Sequence, residues 1–224
     1  VVATTANTII LSPTGTGKTL AFLLPLIKIL DSECKEIQAL ILVPSRELAI
    51  QIEQVIRNMG SGYKVNAVYG GRSMSKDKIE LKHEPAILIG TPGRVADHFS
   101  NNRFSKDSIK TLILDEFDKS LEIGFENEMI EILDALPLLQ KKVFTSATQE
   151  FAVPPFVGLN NPIRINYLKE TIDQLTVKLI VSPRDEKQNT LLKALKHIGN
   201  KPGIIFCNFK DTIAGLSEFL ESNG

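Results

Sequence analysis

The chain of 224 residues is 43% hydrophobic and 23% charged, and its 26 basic and 26 acidic side chains give a formal net charge of zero. Such a composition excludes a disordered chain, a collagen-like fibre and a polycationic tail. Its two cysteines cannot form a disulfide framework, and its longest apolar run, residues 20–27, is too short to span a bilayer. We expect a cytoplasmic protein that is a monomer and has no membrane partner.

Short apolar runs alternate with amphipathic stretches along the chain. Because these runs are continuously apolar, they predict strands that are buried on both faces, as in a parallel sheet. They lie at residues 9–11, 40–43, 86–89, 112–114 and 204–206. Between them, residues 48–56 and 191–198 each place their apolar side chains on one helical face. The alternation predicts an α/β fold, with a parallel sheet flanked by helices and right-handed crossovers.

A break in this alternation predicts a domain boundary near residue 167. Asn160, Asn161 and Pro162 interrupt the pattern, and the polar stretch 170–173 follows. We therefore expect a first domain over residues 1–167 and a second over residues 168–224.

The second domain repeats the same alternation on a smaller scale. Strands are predicted at residues 175–181 and 203–206, and helices at residues 184–197 and 212–221. Because a doubly wound domain typically needs ~100 residues or more, we expect this domain to be incomplete and the sequence to be a piece of a longer protein.

A glycine-rich loop joins the first predicted strand to an apolar helix. It reads Ser12, Pro13, Thr14, Gly15, Thr16, Gly17, Lys18 and Thr19. Glycines let backbone N–H groups surround a phosphate, and a helix N-terminus adds positive potential. We expect Lys18 to reach the β- and γ-phosphates of a nucleotide and the Thr19 hydroxyl to bind Mg²⁺. Ser12 stands where the P-loop pattern has glycine, so a turn with a chance lysine is the alternative.

An acidic turn follows the predicted strand 112–114. Asp115, Glu116, Phe117 and Asp118 lie at the carboxyl end of this strand, where open α/β sheets bind ligands. The first acid can hold Mg²⁺, and the second can orient and deprotonate an attacking water. The turn alone could equally cap the next helix. The phosphate loop upstream favours the nucleotide site, because the two elements complement each other.

These motifs resemble those of the DEAD-box ATP-dependent RNA helicases of superfamily 2. The acidic turn resembles the family's namesake motif, with Phe117 in place of the usual alanine. Further similar segments are Pro-Ser-Arg-Glu-Leu-Ala at 44–49, Gly-Gly at 70–71, Thr-Pro-Gly-Arg at 91–94, Ser-Ala-Thr at 146–148 and Ile-Ile-Phe-Cys-Asn at 204–208. All occur in the family's order with similar gaps, and together they cover essentially the whole chain.

The resemblance implies two RecA-like lobes that bind ATP and RNA across their cleft. Lys18, Asp115 and Glu116 would then be catalytic, and Thr19 and Asp115 would hold the metal. A glutamine motif would precede Val1, and late motifs of the second lobe would follow Gly224. We therefore expect this piece alone to bind nucleotide weakly and not to unwind duplexes.

Three loops that follow predicted strands are expected to open at one edge of the first lobe. Because the chain is neutral, it must grip a polyanion through a few placed groups and backbone amides. The resemblance gives RNA as that polyanion, and it assigns the contacts to Pro44, Arg46, Gly70, Gly71, Thr91, Gly93 and Arg94. Backbone contacts of this kind carry no sequence information. Taken singly, each arginine could be a solvated or salt-bridged surface residue, and the glycine pair a plain turn.

Hydroxyl groups after the strand 143–145 have two interpretations. In the family interpretation, Ser146 and Thr148 bond to Asp118 and couple the state of the nucleotide to closure of the lobes. In the other, they cap a helix over residues 149–157. We also expect the three histidines to be surface or loop residues, and Lys76, Lys78 and Lys82 to form a solvated helix face.

The leading hypothesis is an ATP-dependent RNA helicase that uses ATP and Mg²⁺. One rival is a DNA helicase or translocase of superfamily 2, against which the segments 44–49 and 91–94 argue. The other rival is a non-enzymatic, ATP-gated RNA clamp. This rival requires that ATP hydrolysis has been lost. The presence of all four expected site residues argues against it: Lys18, Thr19, Asp115 and Glu116.

Overall fold

A computed structural model describes residues 6–148, 153–168, 176–199 and 201–223 of the chain. The chain divides into two compact units, Val1–Ile172 and Asp173–Gly224. The expected boundary near residue 167 stays a prediction, because the polar stretch 170–173 lies outside the described residues.

The first unit contains a seven-stranded sheet in which every pair of neighbouring strands is parallel. The strands are β1 (Thr8–Leu11), β2 (Ala39–Leu42), β3 (Val65–Val68), β4 (Ile87–Gly90), β5 (Thr111–Leu114), β6 (Lys141–Ser146) and β7 (Ile163–Asn166). Their order across the sheet is β3-β4-β2-β5-β6-β1-β7. This arrangement confirms the predicted α/β fold with a parallel sheet.

Helices connect the strands of the first unit. They are α1 (Lys18–Ile29), α2 (Arg46–Asn58), α3 (Met74–Leu81), α4 (Pro92–Ser100), α5 (Phe117–Ile123) and α6 (Glu126–Asp134), with a 3₁₀ turn at Pro155–Val157. Most begin within a few residues of the end of the preceding strand. Because the strands are parallel, the short loops before these helices lie together at the carboxyl edge of the sheet.

Two hydrophobic clusters cover the opposite faces of the sheet. Phe22 and Leu26 of α1 and Ile52 of α2 belong to one cluster. Phe99 of α4 and Met129 of α6 belong to the other. The strands β1 to β5 are buried along their whole length. Burial on both faces accounts for their continuous apolar runs.

Besides β6, two strands of the first unit lie outside the apolar runs of the sequence. In β3, Asn66 interrupts the apolar pattern, and the side chain donates to Glu80 at 3.2 Å. The strand β7 pairs with β1 and is largely exposed, so its sequence lacks the signature of a buried strand. Both strands form because they pair with a neighbouring strand, and their own composition does not predict them.

The second unit contains α7 (Lys187–Ile198) and α8 (Lys210–Ser222), close to the two predicted helices. The predicted strands at 175–181 and 203–206 were wrong for the residues described there, 176–181 and 203–206, which adopt no strand. Their apolar side chains are exposed, and Phe206 is 91% accessible. A strand needs a partner for its backbone hydrogen bonds, and an apolar run does not supply one. Among the described residues, no helix is both long and apolar enough to cross a membrane.

Candidate functional site

The phosphate loop lies between the carboxyl end of β1 and the N-terminus of α1. The Ser12 N–H donates to the Ser146 carbonyl at 3.1 Å, which continues the pairing of β1 with β6 into the loop. Gly15 and Gly17 have φ values of +78° and +85°. This left-handed conformation strains residues that carry a Cβ, so glycine is required here by the backbone.

The ammonium group of Lys18 lies inside the phosphate loop. It donates to the carbonyls of Ser12 and Pro13, at 3.0 Å for Pro13. Burial lowers the pKa of Lys18, and the negative charges of Asp115, Glu116 and Asp118 oppose this change. The lysine of the loop and the carboxylates of the acidic turn therefore belong to one electrostatic site.

The acidic turn begins where β5 ends. The Asp115 N–H donates to the Leu42 carbonyl at 2.9 Å, and this bond holds the residue in line with the sheet. Burial raises the pKa of the Asp115 carboxyl, a hydrogen bond from Thr145 lowers it, and the charge of Glu116 raises it. The carboxylate is thus buried beside the phosphate loop, with its charge supported by Thr145 and Lys18.

Glu116 adopts a left-handed backbone conformation, with φ +48° and ψ +49°, at the start of α5. For a residue with a side chain, this conformation costs about 1–2 kcal/mol. Strained residues of this kind concentrate at functional sites. The Glu116 carboxylate lies 3.5 Å from the ammonium group of Lys119.

Phe117, which departs from the alanine of the resembled motif, is a core residue. Its ring contacts that of Phe144 edge to face, with centroids 5.0 Å apart, and it is completely buried. Such aromatic pairs contribute about 0.5–1.5 kcal/mol beyond burial of their area. Phe117 therefore anchors the acidic turn to β6.

The hydroxyls after β6 differ in their partners. Thr148 donates to the Asp118 carboxylate at 3.1 Å, as expected for the Ser-Ala-Thr segment. Ser146 instead bonds within its own turn, where it accepts from the Thr148 N–H at 3.0 Å. The expected bond from Ser146 to Asp118 was wrong, because the Ser146 hydroxyl donates to the Thr148 carbonyl at 3.1 Å. The alternative helix over 149–157 lies partly outside the described residues, and its end is a 3₁₀ turn at Pro155–Val157.

The three candidate RNA-binding loops open at the same carboxyl edge, after β2, β3 and β4. The Val43 N–H donates to the Gly90 carbonyl at 3.0 Å, and the Thr91 N–H donates to the Val68 carbonyl at 3.2 Å. Ser45 caps α2 by accepting from the Leu48 N–H at 3.2 Å. Serine and threonine both serve as helix N-caps, which accounts for Ser45 in place of threonine.

The candidate RNA-binding residues differ in accessibility. Arg46 is exposed and pairs with the neighbouring Glu47, whereas Pro44 is buried. Gly70 and Gly71 are exposed, and Gly71 has a φ of +81°. Thr91 is buried and Gly93 is half-buried at the start of α4.

Arg94 takes part in a buried ion network that sequence reasoning did not find. Its guanidinium donates to the Asp77 carboxylate and to the Arg72 carbonyl, each at 2.8 Å. Asp77 is completely buried and also contacts Arg72 at 3.2 Å and His98 at 3.0 Å. The expectation that every histidine is a surface or loop residue was wrong for His98, which is buried in α4 because Asp77 gives its ring a buried partner. Asp77, a charged residue in a short polar helix, offers no sequence signal of burial.

Thr145 is a second residue that sequence reasoning missed. Its hydroxyl donates to the Asp115 carboxylate and accepts from the Glu116 N–H at 3.2 Å. A polar residue at the end of an otherwise apolar strand, directly before Ser146, was the available signal. Lys76, Lys78 and Lys82 are exposed, as expected for a solvated face.

The residues present fit a nucleotide phosphate together with Mg²⁺. Backbone N–H groups at the start of α1 and the Lys18 ammonium suit an anion. The Thr19 hydroxyl and the Asp115 carboxylate are oxygen ligands of the kind Mg²⁺ prefers, and this ion usually takes few protein ligands beside waters and phosphates. Within the described ranges, no cluster of three or more His, Cys, Asp or Glu side chains is arranged to hold a metal.

Solved structures resemble this chain over much of its length. A DEAD box protein from the hyperthermophile Methanococcus jannaschii matches 98% of this chain and 60% of its own, with a TM-score of 0.68 and 29% identity. A hypothetical ATP-dependent RNA helicase from Sulfolobus tokodaii matches 72% of this chain and 48% of its own, with a TM-score of 0.64 and 28% identity. The sheet with its flanking helices is therefore a RecA-like fold.

Curated relatives match nearly the whole chain. DEAD-box ATP-dependent RNA helicase RhpA from Helicobacter pylori is 36% identical over 93% of this chain and 44% of its own length. ATP-dependent RNA helicase eIF4A from Lodderomyces elongisporus is 37% identical over 92% of this chain and 54% of its own. The chain thus spans about half the length of these relatives. The family model described as DEAD/DEAH box helicase matches residues 1–154. The chain belongs to the DEAD/DEAH box helicase family.

Proposed function

We propose that the whole protein is an ATP-dependent RNA helicase, which couples ATP binding and hydrolysis to RNA binding and local unwinding of short duplexes. The observation that carries this proposal is the phosphate loop, whose two glycines are left-handed and whose Lys18 ammonium donates to loop carbonyls, at the sheet edge where Asp115 is buried. It supports a nucleotide site at the carboxyl edge of the sheet, next to the three candidate RNA-binding loops. Residues 168–224 would begin the second RecA-like lobe.

In this proposal the phosphate loop, residues 12–19, binds the triphosphate of ATP. The backbone N–H groups surround the phosphates, and Lys18 exchanges its bonds to Ser12 and Pro13 for bonds to the β- and γ-phosphates. Thr19 and Asp115 would hold Mg²⁺, which would supply positive charge against the phosphate oxygens. Lys18 neutralises the charge that develops on the departing ADP.

Glu116 acts as the general base of the proposed hydrolysis. It takes a proton from the attacking water, whose oxygen forms a bond to the γ-phosphorus. The bond from that phosphorus to the β–γ bridging oxygen breaks, and ADP leaves with the electron pair. The left-handed backbone of Glu116 supports this role, because strained conformations of this kind concentrate at functional sites.

RNA would bind along the edge formed by residues 44–46, 70–71 and 91–94. Exposed Arg46, Gly70 and Gly71 offer a cation and backbone amides to phosphates. Arg94 contributes mainly by holding its loop, because its guanidinium is engaged with Asp77 and Arg72. Thr148, through its bond to Asp118, would couple the nucleotide site to closure of the lobes.

Steady-state ATP hydrolysis by the whole protein tests the proposal, with single-stranded RNA, with DNA of matched sequence, and alone. Stimulation by RNA only, together with displacement of a short duplex strand, supports the helicase. Equal stimulation by DNA contradicts it in favour of a DNA motor. ATP-dependent RNA binding without turnover contradicts it in favour of a clamp.

Two variants assign the roles within the site. Glu116→Gln is expected to retain ATP binding and to lose turnover, and Lys18→Ala is expected to weaken ATP binding itself. Normal turnover by Glu116→Gln would exclude the proposed general base.

A further inference from the structure

The end of β6 and the turn after it contact both the start of the phosphate loop and the acidic turn. The contacts are Phe144 with Phe117, Thr145 with Asp115 and Glu116, the Ser146 carbonyl with the Ser12 N–H, and Thr148 with Asp118. This strand pairs with β5 on one side and with β1 on the other. A single strand end therefore sets the register between the phosphate loop and the acidic turn.

Thr145 makes the contacts that lie nearest to the proposed chemistry. It is 0% exposed, and its hydroxyl lies between two successive residues of the turn. The hydroxyl proton is donated to the Asp115 carboxylate, while the oxygen accepts the Glu116 N–H at 3.2 Å. A hydroxyl can do both at once, because it carries one donor and two acceptor lone pairs.

The hydrogen bond from the Glu116 N–H to Thr145 stabilises the start of α5 for two reasons. Glu116 lies at the N-terminus of α5, where backbone N–H groups have no partner within the helix. Its left-handed conformation persists only if the surroundings compensate for the strain. The Glu116 carboxylate lies 3.5 Å from the Lys119 ammonium. Because both groups are partly exposed, this ion pair restrains Glu116 only weakly.

We propose that Thr145 is a positioning residue for ATP hydrolysis, whose hydroxyl holds the Asp115 carboxylate and the Glu116 backbone in their working geometry. The inference rests on the proposed ATPase function. Thr145 itself touches neither water nor nucleotide in this scheme. It acts through Asp115, whose oxygen it orients, and through Glu116, whose backbone direction it fixes.

A pair of substitutions separates the hydroxyl from the bulk of the side chain. Thr145→Val keeps the shape and removes the hydroxyl, whereas Thr145→Ser keeps the hydroxyl and removes a methyl group. Loss of a hydrogen-bond partner that orients a catalytic ligand typically lowers activity about 10- to 100-fold. We expect Thr145→Val to lower kcat of the whole protein by that factor with little change in KM for ATP, and Thr145→Ser to restore most of kcat.

Hydrogen exchange at the Glu116 amide provides a readout that needs no nucleotide. In Thr145→Val this N–H loses its acceptor, so its exchange should accelerate relative to the amides of β5, while Thr145→Ser retains the protection. Thr111→Val is the matched control, because Thr111 is a buried threonine at the opposite end of the neighbouring strand. It should change neither kcat nor exchange at Glu116.

Measuring both kcat and amide exchange distinguishes failure of the role of Thr145 from failure of the proposed ATPase function. If the unmodified protein hydrolyses no ATP, the ATPase assignment fails, and exchange at Glu116 still decides whether Thr145 holds the turn. If Thr145→Val keeps normal kcat and normal exchange, the positioning role is overturned. It is equally overturned if Thr145→Ser is as impaired as Thr145→Val, since bulk rather than the hydroxyl would then matter.

Discussion

The Arg94 guanidinium donates to the completely buried carboxylate of Asp77 at 2.8 Å. Through this bond the loop after β4 is tied to α3. Because Arg94 also bonds to the Arg72 carbonyl, the loop after β3 is tied to the same point. Two of the three candidate RNA-binding loops are thus held together by one carboxylate.

Replacing Asp77 should therefore destabilise the first unit strongly. In Asp77→Ala, Arg94 keeps its charge in a largely buried position and loses this counter-charge, while Arg72 retains only its pair with Glu80 among the described residues. Breaking a buried ion pair by removing one partner costs about 3–5 kcal/mol. Urea unfolding should show a loss of this size. Glu53→Ala is the matched control, since its pair with Arg57 lies on the surface of α2 and such pairs contribute about 0.3–0.5 kcal/mol. Equal, small losses in both variants would contradict the importance of the network.

Arg46 and Arg94 should differ in what their removal changes. Arg46 is exposed and pairs with its neighbour Glu47, so Arg46→Ala should weaken RNA binding and leave the free energy of unfolding within about 0.5 kcal/mol of its original value. Loss of one phosphate contact should also lower the slope of log affinity against log salt concentration by about 1. Arg94→Ala should instead lower stability, because it removes one of the two arginines that neutralise the buried Asp77 carboxylate.

Measurements of RNA affinity at several salt concentrations, with urea unfolding on the same samples, separate the two effects. An unchanged salt slope in Arg46→Ala would show that this arginine does not contact phosphate. An unchanged stability in Arg94→Ala would show that its bonds to Asp77 and Arg72 contribute little.

The parallel sheet and the phosphate loop could be predicted from sequence because their signals are local. Buried strands such as β2 and β5 are continuously apolar, and Gly15 and Gly17 mark backbone that other residues adopt with strain. The same logic failed in the second unit. The apolar runs there predict strands, yet no pairing satisfies their backbone groups in the residues that the structure describes.

The supporting residues of the site could not be predicted, because their roles arise from contacts between distant segments. Asp77 and Arg94 are 17 residues apart, and Asp115 and Thr145 are 30 apart. Neither pair follows a helical or strand period. Burial of Asp77 and His98 depends on the contacts of Asp77 in α3 with Arg94 and His98 in α4, which no local pattern encodes.

The buried His98 predicts a pH dependence of stability. Burial lowers the pKa of its imidazole, and the opposing charge of Asp77 offsets this only in part. Nδ1 has no hydrogen-bond partner among the described residues, so a proton there would be buried without an acceptor. Below about pH 6.5, the unfolded chain takes up a proton that the folded chain resists. Stability should therefore fall with decreasing pH, by at most about 1.4 kcal/mol per pH unit from this group.

Urea unfolding at pH values on both sides of about 6.5 tests this prediction. His98→Gln should lose stability at the higher pH and should lack the component of the pH dependence that arises from the histidine. If both proteins show the same pH dependence, His98 does not titrate differently in the folded and unfolded chains.

Phe117→Ala should destabilise the first unit, even though it makes the sequence more similar to the resembled motif. Alanine is the usual residue at this position of the resembled motif, so Phe117→Ala would bring the sequence closer to the family. In this chain, however, the ring fills space against Phe144, and its removal leaves a cavity. Truncation of a buried phenylalanine to alanine costs about 3–5 kcal/mol.

Urea unfolding of this 224-residue chain measures the effect, with Phe206→Ala as the matched control. Phe206 is 91% exposed in the second unit, so its truncation should change stability by less than about 0.5 kcal/mol. A loss in Phe117→Ala as small as in the control would mean that neighbouring side chains close the space. The acidic turn would then be held by the hydroxyl of Thr145 and the backbone of β5, rather than by aromatic packing.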